Sequence, residues 1–182
     1  MLPHKTAEEL LAGLLDVEMA PRDEGVVRLI VRRPAIDERE IIGEGELDPE
    51  VGLVGDGWID RATTRSGEPD RHAQLTIMNA RYAELIAGDS DEWAKAGDQV
   101  YVDLDISRTN LPAGARVSLG SAIIEFSDEP HTGCAKFSAR FGSEALRLTN
   151  TQQGRELRLR GANAVVVKAG TFRNGDIARK LP

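Results

Sequence analysis

Short apolar segments separated by Gly, Pro and Asn fill the second half of this 182-residue chain. Residues 99–105 and 157–160 alternate apolar and polar side chains, residues 117–126 form two such segments around Gly120, and residues 164–168 are almost entirely apolar. Strands of about four to six residues with this spacing are typical of closed or sandwiched β-structures. The sequence therefore predicts a mainly β, α+β fold with a few helices on its rim.

The predicted helices have clear start and stop signals. Thr6 and Glu9 form a capping box ahead of a leucine-rich segment, which predicts a short amphipathic helix at the N-terminus. Asn79 and Gly88 bracket a second helix as its N-cap and its terminating glycine. Residues 143–147 fit a single helical turn.

The chain length favours one domain over residues 1–182. Its first 73 residues contain the N-terminal helix, a β-branched strand at 26–33 and acidic, Gly-rich loops. We expect residues 52–58 to form a loop that packs its tryptophan and residues 61–73 to form a mobile polar connection. A further strand is predicted at 74–78, and the Gly-Asp pairs at 97–98 and 175–176 are interpreted as turns that enter strands.

Composition limits the classes of protein and of site. One cysteine excludes an internal disulfide, and the three histidines are not spaced as zinc ligands. No signal peptide and no apolar run of about 18 residues is recognisable, so we expect a soluble cytoplasmic protein without membrane contact. A net charge of -7 with 4% aromatic residues argues against nucleic-acid binding.

Charge is unevenly distributed along the chain. Residues 1–130 hold 13 Lys/Arg and 27 Asp/Glu, whereas residues 131–182 hold 10 Lys/Arg and 3 Asp/Glu. The basic tail either surrounds a site for an anion such as a phosphate or pairs with the acidic segments across the fold.

Cys134 is the leading candidate for a chemical centre. It follows residues 130–133, a Pro-His-Thr-Gly turn that presents the sulfur instead of burying it in an apolar run. His131, Lys136 and Arg140 would favour the thiolate, the form that attacks electrophiles and binds soft metals. We expect Lys136 to share a face with Cys134 in an extended segment. An inert thiol, an exposed turn histidine and a solvated lysine are the alternatives.

An ordered set of short motifs surrounds this cysteine. Arg108-x-Asn110-Leu111 comes first, Leu119-Gly120 follows, then the Pro-His-Thr-Gly-Cys turn ending at Cys134, and finally Gly175-Asp176. In this order the motifs resemble the MOSC domain, named after the C-terminal part of molybdenum cofactor sulfurase. The resemblance covers residues 74–180 and implies a MOSC-like closed β-barrel with a few peripheral helices.

The resemblance implies two kinds of chemistry at Cys134. In one, the thiolate ligates molybdenum held by the pterin dithiolene of the molybdenum cofactor (molybdopterin), and a small N-hydroxylated substrate is reduced. In the other, Cys134 is a non-catalytic persulfide carrier that delivers sulfur to metal-sulfur centres. No redox-cluster motif and no pyridoxal-phosphate domain is recognisable in the sequence. Electrons or sulfur would therefore come from an electron-donor protein or a pyridoxal-phosphate cysteine desulfurase.

The resemblance also suggests roles for the neighbouring side chains. Arg108 and Asn110 match the family's Arg-x-Asn motif and would grip the phosphate or pterin of the cofactor; a turn capped by Asn110 is the alternative. Lys136 and Arg140 would add positive charge for an anionic cofactor. His131 would hydrogen-bond a metal oxo group or a leaving group.

Overall fold

The computed structural model describes residues 3–61 and 66–182. Over these residues the chain forms six α-helices and eleven β-strands. The helices are α1 (Ala7–Glu18), α2 (Ala80–Ala87), α3 (Ser90–Trp93), α4 (Ala135–Phe141), α5 (Ser143–Thr149) and α6 (Gln152–Glu156). The strands are β1 (Glu24–Arg32), β2 (Glu40–Ile42), β3 (Glu44–Asp48), β4 (Gly52–Leu53), β5 (Leu75–Asn79), β6 (Val100–Asp103), β7 (Arg116–Leu119), β8 (Ala122–Phe126), β9 (Ala162–Lys168), β10 (Gly170–Arg173) and β11 (Ile177–Lys180).

Seven of the strands close into a barrel in the order β1-β11-β7-β8-β9-β5-β6, with β6 returning to β1. Neighbours are antiparallel except β5 and β6, which are parallel. Closure depends on β1, which pairs with β11 at Gly25 and with β6 further along. A Cβ at Gly25 would lie 2.0 Å from the carbonyl oxygen of Asp103, so only glycine allows this approach. The predicted mainly β, α+β fold with a closed barrel is confirmed.

Two additions flank the barrel. Strand β2 pairs with the end of β1, and β10, β3 and β4 form a separate three-stranded sheet. The start of β10 packs tightly against the turn between β7 and β8. A Cβ at Gly170 there would lie 2.5 Å from the backbone nitrogen of Ala122.

The alternation of side chains along the strands builds two separate cores. On β5, Leu75 and Ile77 point into the barrel, while Met78 points outward into a layer formed by the helices. On β6, Val102 and Tyr101 divide in the same way. These strands are therefore buried on both faces, and the outer layer fixes the helices, α4 included, against the barrel wall.

The helix signals hold at both predicted sites. Thr6 and Glu9 form the capping box of α1, and Asn79 accepts hydrogen bonds from the backbone N–H groups of Arg81 and Tyr82 at the start of α2. Helix α5 is longer than the single turn expected at 143–147. The exposed apolar side chains of α1 leave part of that helix unpacked in this chain.

The strand predicted at 157–160 is wrong. These residues form a turn after α6, in which Arg158 has the left-handed φ of 50° and the N–H of Gly161 donates to the carbonyl of Arg158. The alternation that suggested a strand has another cause. Leu159 packs into the helical layer, whereas Arg158 and Arg160 line a pocket.

Part of the connection predicted at 61–73 lies outside the described residues, namely 62–65. Its last residues, Arg71–Ala73, form a short 3-10 helix. Trp58, in the preceding loop, is buried as expected. In the part of the chain that the structure covers, none of the helices has the length and apolar character needed to cross a membrane.

Candidate functional site

Cys134 occupies the N-cap position of α4 and is exposed. Its backbone is extended, and the helix begins at the next residue. Phe137 and Phe141 anchor α4, since both are buried and their rings lie 5.1 Å apart. The expectation of an extended segment through Lys136 is therefore wrong, because the chain enters a helix directly after the sulfur.

The helix start changes the electrostatics of the thiol. The backbone N–H groups of Phe137 and, to a lesser degree, Lys136 lower the pKa of Cys134, although neither reaches the sulfur with good hydrogen-bond geometry. The charges of Arg160 and Arg140 act in the same direction, and partial burial opposes them. Thiols at helix N-termini are commonly acidified in this way. Cys134 is thus exposed and biased toward the thiolate.

A pocket of about 350 Å³ opens beside this cysteine. Its wall includes Pro130–Gly133, the turn that ends at Cys134, and the segment that links α6 to β9. The ionisable side chains in its lining are Arg108, Glu129, His131, Arg155, Arg158 and Arg160. We call it the arginine pocket. With four arginines and one carboxylate in its lining, the pocket has the charge that suits an anion.

Arg158 is buried, and backbone carbonyls and an aromatic ring hold its guanidinium in place. Its Nη1 donates to the carbonyls of Leu111 (2.6 Å) and Ile106 (3.2 Å), and its guanidinium carbon lies 5.5 Å from the ring centre of Phe126. Burial, reinforced by the charge of Arg108, lowers the pKa of Arg158 to about 10. The group remains a cation near neutral pH, and an anionic ligand would relieve its loss of solvation.

Asp98 lies beneath the pocket and is completely buried. One carboxylate oxygen accepts from Nη1 of Arg160 at 2.7 Å, and the other lies 3.0 Å from Nε2 of His131. Burial alone would raise the pKa of Asp98, but the charge of Arg160 and then His131 bring it down to about 2. Burial, and next the charge of Arg160, lower the pKa of His131 against the pull of Asp98. The lowered pKa favours the neutral imidazole, which donates Nε2–H to the carboxylate.

Two of the predicted site residues reach the arginine pocket, and Cys134 adjoins it. His131 lines the wall, and Arg108 contributes from the loop after β6, where its Nε donates to the carbonyl of Arg155. Gly133 also lines the pocket, so Cys134 follows directly on a wall residue. The pocket thus brings the predicted histidine, arginine and cysteine together.

Asn110 is not brought to the pocket. Its side-chain amide donates to the carbonyls of Arg22 and Asp105 at 2.7 Å each and accepts from Lys180. The residue is 1% exposed. Its amide groups are fully used inside the protein, as the alternative of a turn-stabilising asparagine predicts, so contact with a cofactor is not supported by its position.

Lys136 and Arg140 also lie outside the pocket lining. Both point toward Asp37, whose carboxylate lies 2.7 Å from Nζ of Lys136 and 3.5 Å from Nη2 of Arg140. Arg140 additionally donates to the carbonyl of Lys95. Acidic and basic segments therefore do pair across the fold here, as Arg160 does with Asp98 in the pocket wall. Arg155 and Arg158 of the same basic tail line the arginine pocket without an ion pair to any of the described residues.

Sequence reasoning missed Arg155, Arg158, Arg160 and Asp98 as site residues. The three arginines belong to the basic tail. Because a strand is predicted at 157–160, the sequence does not indicate the turn that directs them into one pocket. The sequence predicts a turn at 97–98, and Gly97 does adopt the left-handed conformation of one. A buried carboxylate beside two cationic partners has no local sequence signal. Across the described ranges, no three His, Cys, Asp or Glu side chains are grouped to hold a metal ion.

No protein-family model matches the sequence, and no curated protein matches it. Solved structures do match. YuaD from Bacillus subtilis is 16% identical with a TM-score of 0.56 over 85% of this chain and 94% of its own. YiiM from Escherichia coli is 19% identical with a TM-score of 0.54 over 86% of this chain and 70% of its own. A hypothetical protein is 19% identical with a TM-score of 0.58 over 88% of this chain and 69% of its own.

YiiM and YuaD are MOSC-domain proteins. At these identities the likeness concerns the architecture, and it agrees with the closed seven-stranded barrel, the extra strand and the six helices described above. The fold of this chain is therefore that of the MOSC domain, as the motifs around Cys134 predict.

Proposed function

We propose that this protein binds the molybdenum cofactor, with the arginine pocket holding its anionic and pterin parts and the Cys134 thiolate ligating the metal. The observation that carries the proposal is that the arginine pocket and the thiol adjoin at the Gly133–Cys134 peptide bond. Gly133 lines a pocket with four arginines, and the next residue is an exposed, acidified thiol. A soft thiolate suits a metal already bound by dithiolene sulfurs.

The pocket fits such a group in size and in chemistry. Its volume of about 350 Å³ lies in the range of small-molecule sites. Arginine forks match phosphate oxygens, and Asn163, Ser127 and His131 add neutral polar groups to the wall. Arg108 and Arg155 are exposed, whereas Arg158 and Arg160 are buried and fixed by hydrogen bonds to backbone carbonyls.

The chain's own residues would bind and orient the ligand. When bound, the cofactor supplies the redox-active metal for reducing a small N-hydroxylated substrate. Arg158 and Arg160 provide positive charge that is already desolvated, and the N–H groups at the start of α4 keep Cys134 as thiolate. Electrons would come from a separate donor protein.

The test is cofactor content. The protein is purified from molybdenum-sufficient cells, and molybdenum and pterin are measured per chain. We expect near-stoichiometric amounts of both, loss of molybdenum in Cys134→Ser, and loss of pterin in the Arg108→Ala/Arg155→Ala double variant. Arg147→Ala is the matched control, because Arg147 is an exposed arginine paired with Glu144 outside the pocket. Equal metal content in wild type and Cys134→Ser would refute ligation.

A second function is supported by one observation: Cys134 is exposed and does not itself line the arginine pocket. A persulfide carrier needs such a thiolate. Its sulfur would attack the outer sulfur of a desulfurase persulfide, the S–S bond there would break, and the desulfurase cysteine would leave as thiolate. Incubation with a cysteine desulfurase, pyridoxal phosphate and L-cysteine should then add the mass of one sulfur atom. Cys134→Ser should gain none.

A further inference from the structure

The layer beneath the arginine pocket is built around one carboxylate. Asp98 is 0% exposed, and its two oxygens are divided between Arg160 and His131. Both partners line the pocket, but Asp98 does not. A Cβ at Gly161 would lie 2.8 Å from Oδ1 of Asp98, so the chain passes directly over the carboxylate and shields it.

Arg160 is fixed on several sides. Nη1 donates to Asp98, Nη2 donates to the carbonyl of Ala96 at 2.9 Å, and the guanidinium carbon lies 5.0 Å from the ring centre of Phe137. Phe137 is the residue whose N–H most strongly favours the Cys134 thiolate. The Asp98–Arg160 pair therefore supports the pocket floor and the first turn of α4 together.

His131 is held by the same carboxylate through one ring nitrogen. An ionised Asp98 can only accept, so Nε2 carries a proton, and in the neutral ring Nδ1 then has a free lone pair. Over residues 3–61 and 66–182, no group hydrogen-bonds to Nδ1, and Nδ1 is not among the side-chain atoms buried without a partner. The charged groups that act on the ring are Arg160, Asp98 and Arg33.

We propose that Asp98 is the positioning residue of the arginine pocket: it locks His131 as the Nε2–H tautomer, so that Nδ1 is an uncharged hydrogen-bond acceptor in a wall of cationic donors. The ligand class that fits is an anion that also carries a ring N–H, and this part rests on the proposed function. Glu129 is the only carboxylate among the described residues of the lining, and it would accept such a hydrogen bond at the cost of a negative charge. A neutral acceptor can bind the ring N–H of the ligand without reducing the positive charge of the arginines.

The tautomer can be measured in the protein without any ligand. Long-range proton–nitrogen correlation NMR on histidine-labelled protein distinguishes the two ring nitrogens. The chain has only three histidines, and His131→Gln assigns the signal. We expect a pure Nε2–H pattern for His131. A protonated Nδ1, or a mixture of tautomers such as a solvent-exposed histidine shows, would overturn the proposal even if no variant folded.

Asp98→Asn gives the sharper test. The amide oxygen can still accept from Arg160, but its NH₂ group must donate to Nε2, which moves the ring proton of His131 to Nδ1. Asp56→Asn is the matched control, because Asp56 is also a buried carboxylate paired with an arginine, Arg33, yet does not contact His131. A folded Asp98→Asn that keeps Nε2–H would refute the positioning role.

Pterin content separates this proposal from the proposed function. In protein from molybdenum-sufficient cells, we expect Asp98→Asn to retain about tenfold less pterin per folded chain than wild type, and Asp56→Asn to retain as much. If wild type holds no pterin but the tautomer switches, the proposed function fails and the role of Asp98 stands. If Asp98→Asn keeps full pterin content, Asp98 has no role in binding.

Discussion

Replacing Gly161 with alanine tests the packing of the site at a crowded backbone position. Gly161 has φ +106°, a conformation that side-chain-bearing residues rarely adopt. Its new Cβ would lie 2.8 Å from the carbonyl oxygen of Ile77, 2.8 Å from Oδ1 of Asp98 and 3.0 Å from Cδ2 of His131. None of these three atoms ends a flexible side chain. Relief would therefore require the barrel wall or the buried pair to move.

Two costs add at this position. The backbone conformation costs about 1–3 kcal/mol for alanine. Crowding a well-packed interior costs a further ~1–3 kcal/mol. We therefore expect the free energy of unfolding to fall by about 4 kcal/mol, a large part of the stability of a typical domain.

Gly175→Ala separates the two costs. Gly175 has a similar φ of +91°, but apart from its two chain neighbours no described residue has an atom within 4 Å of its ideal Cβ. Urea unfolding followed by circular dichroism should show that Gly161→Ala loses about 1–3 kcal/mol more than Gly175→Ala. Equal losses in the two variants would show that the layer of Asp98 and His131 is not tightly packed, and the argument for a fixed site would fail.

Three further outcomes follow from the same structure. Asp98 has a folded pKa of about 2 against a usual 3.8, so its ionisation contributes about 2 kcal/mol to the free energy of unfolding. This contribution is complete above about pH 4 and is lost as the pH falls through about 2. The free energies of unfolding of wild type and Asp98→Asn, measured in urea, should therefore converge at acid pH. Asp37→Ala should release Lys136 and Arg140 of α4 from their ion pairs and so lower the pKa of Cys134. The reaction of Cys134 with iodoacetamide near neutral pH should then be a few fold faster. Glu40→Ala removes another exposed ion pair, with Arg32, and should leave this rate unchanged. Asn110→Ala should cost about 1–3 kcal/mol in urea unfolding and leave pterin content per folded chain unchanged. Within the described residues, the Asn110 amide bonds to the carbonyls of Arg22 and Asp105 and to Lys180, away from the pocket.

The elements with local signals were predictable from the sequence. The capping box at Thr6 and the N-cap at Asn79 depend on side chains within three residues of the groups they satisfy. The paired strands at 117–126 depend on a turn at Gly120, which has φ +54°. Closure of the barrel had no such signal, since it joins Gly25 to Ala178 across most of the chain, and only the family resemblance supplied it.

The parts of the candidate site that depend on a rare residue type or a local turn were predictable, whereas those that depend on tertiary contacts were not. Cys134 is the single cysteine, and the Pro-His-Thr-Gly sequence at 130–133 predicts the turn before it. Arg158 and Arg160 look like the polar face of a strand because alternation has the same period whether a side chain faces water or a pocket. Asp98 gains its role from Arg160, 62 residues away, which no local pattern records.

The fixed position of Cys134 favours holding a ligand over carrying sulfur away. A carrier thiol must reach into a partner's active site, which a mobile arm does most easily. Cys134 instead lies between two anchored segments. Before it, a Cβ at Gly133 would lie 2.3 Å from Cδ1 of Leu146, and His131 is held by the buried Asp98. After it, Phe137 is buried in the helical layer. A thiolate set rigidly at the rim of an anion pocket is preorganised for a group that the pocket already binds, so of the two proposed functions metal ligation uses more of what the fold provides.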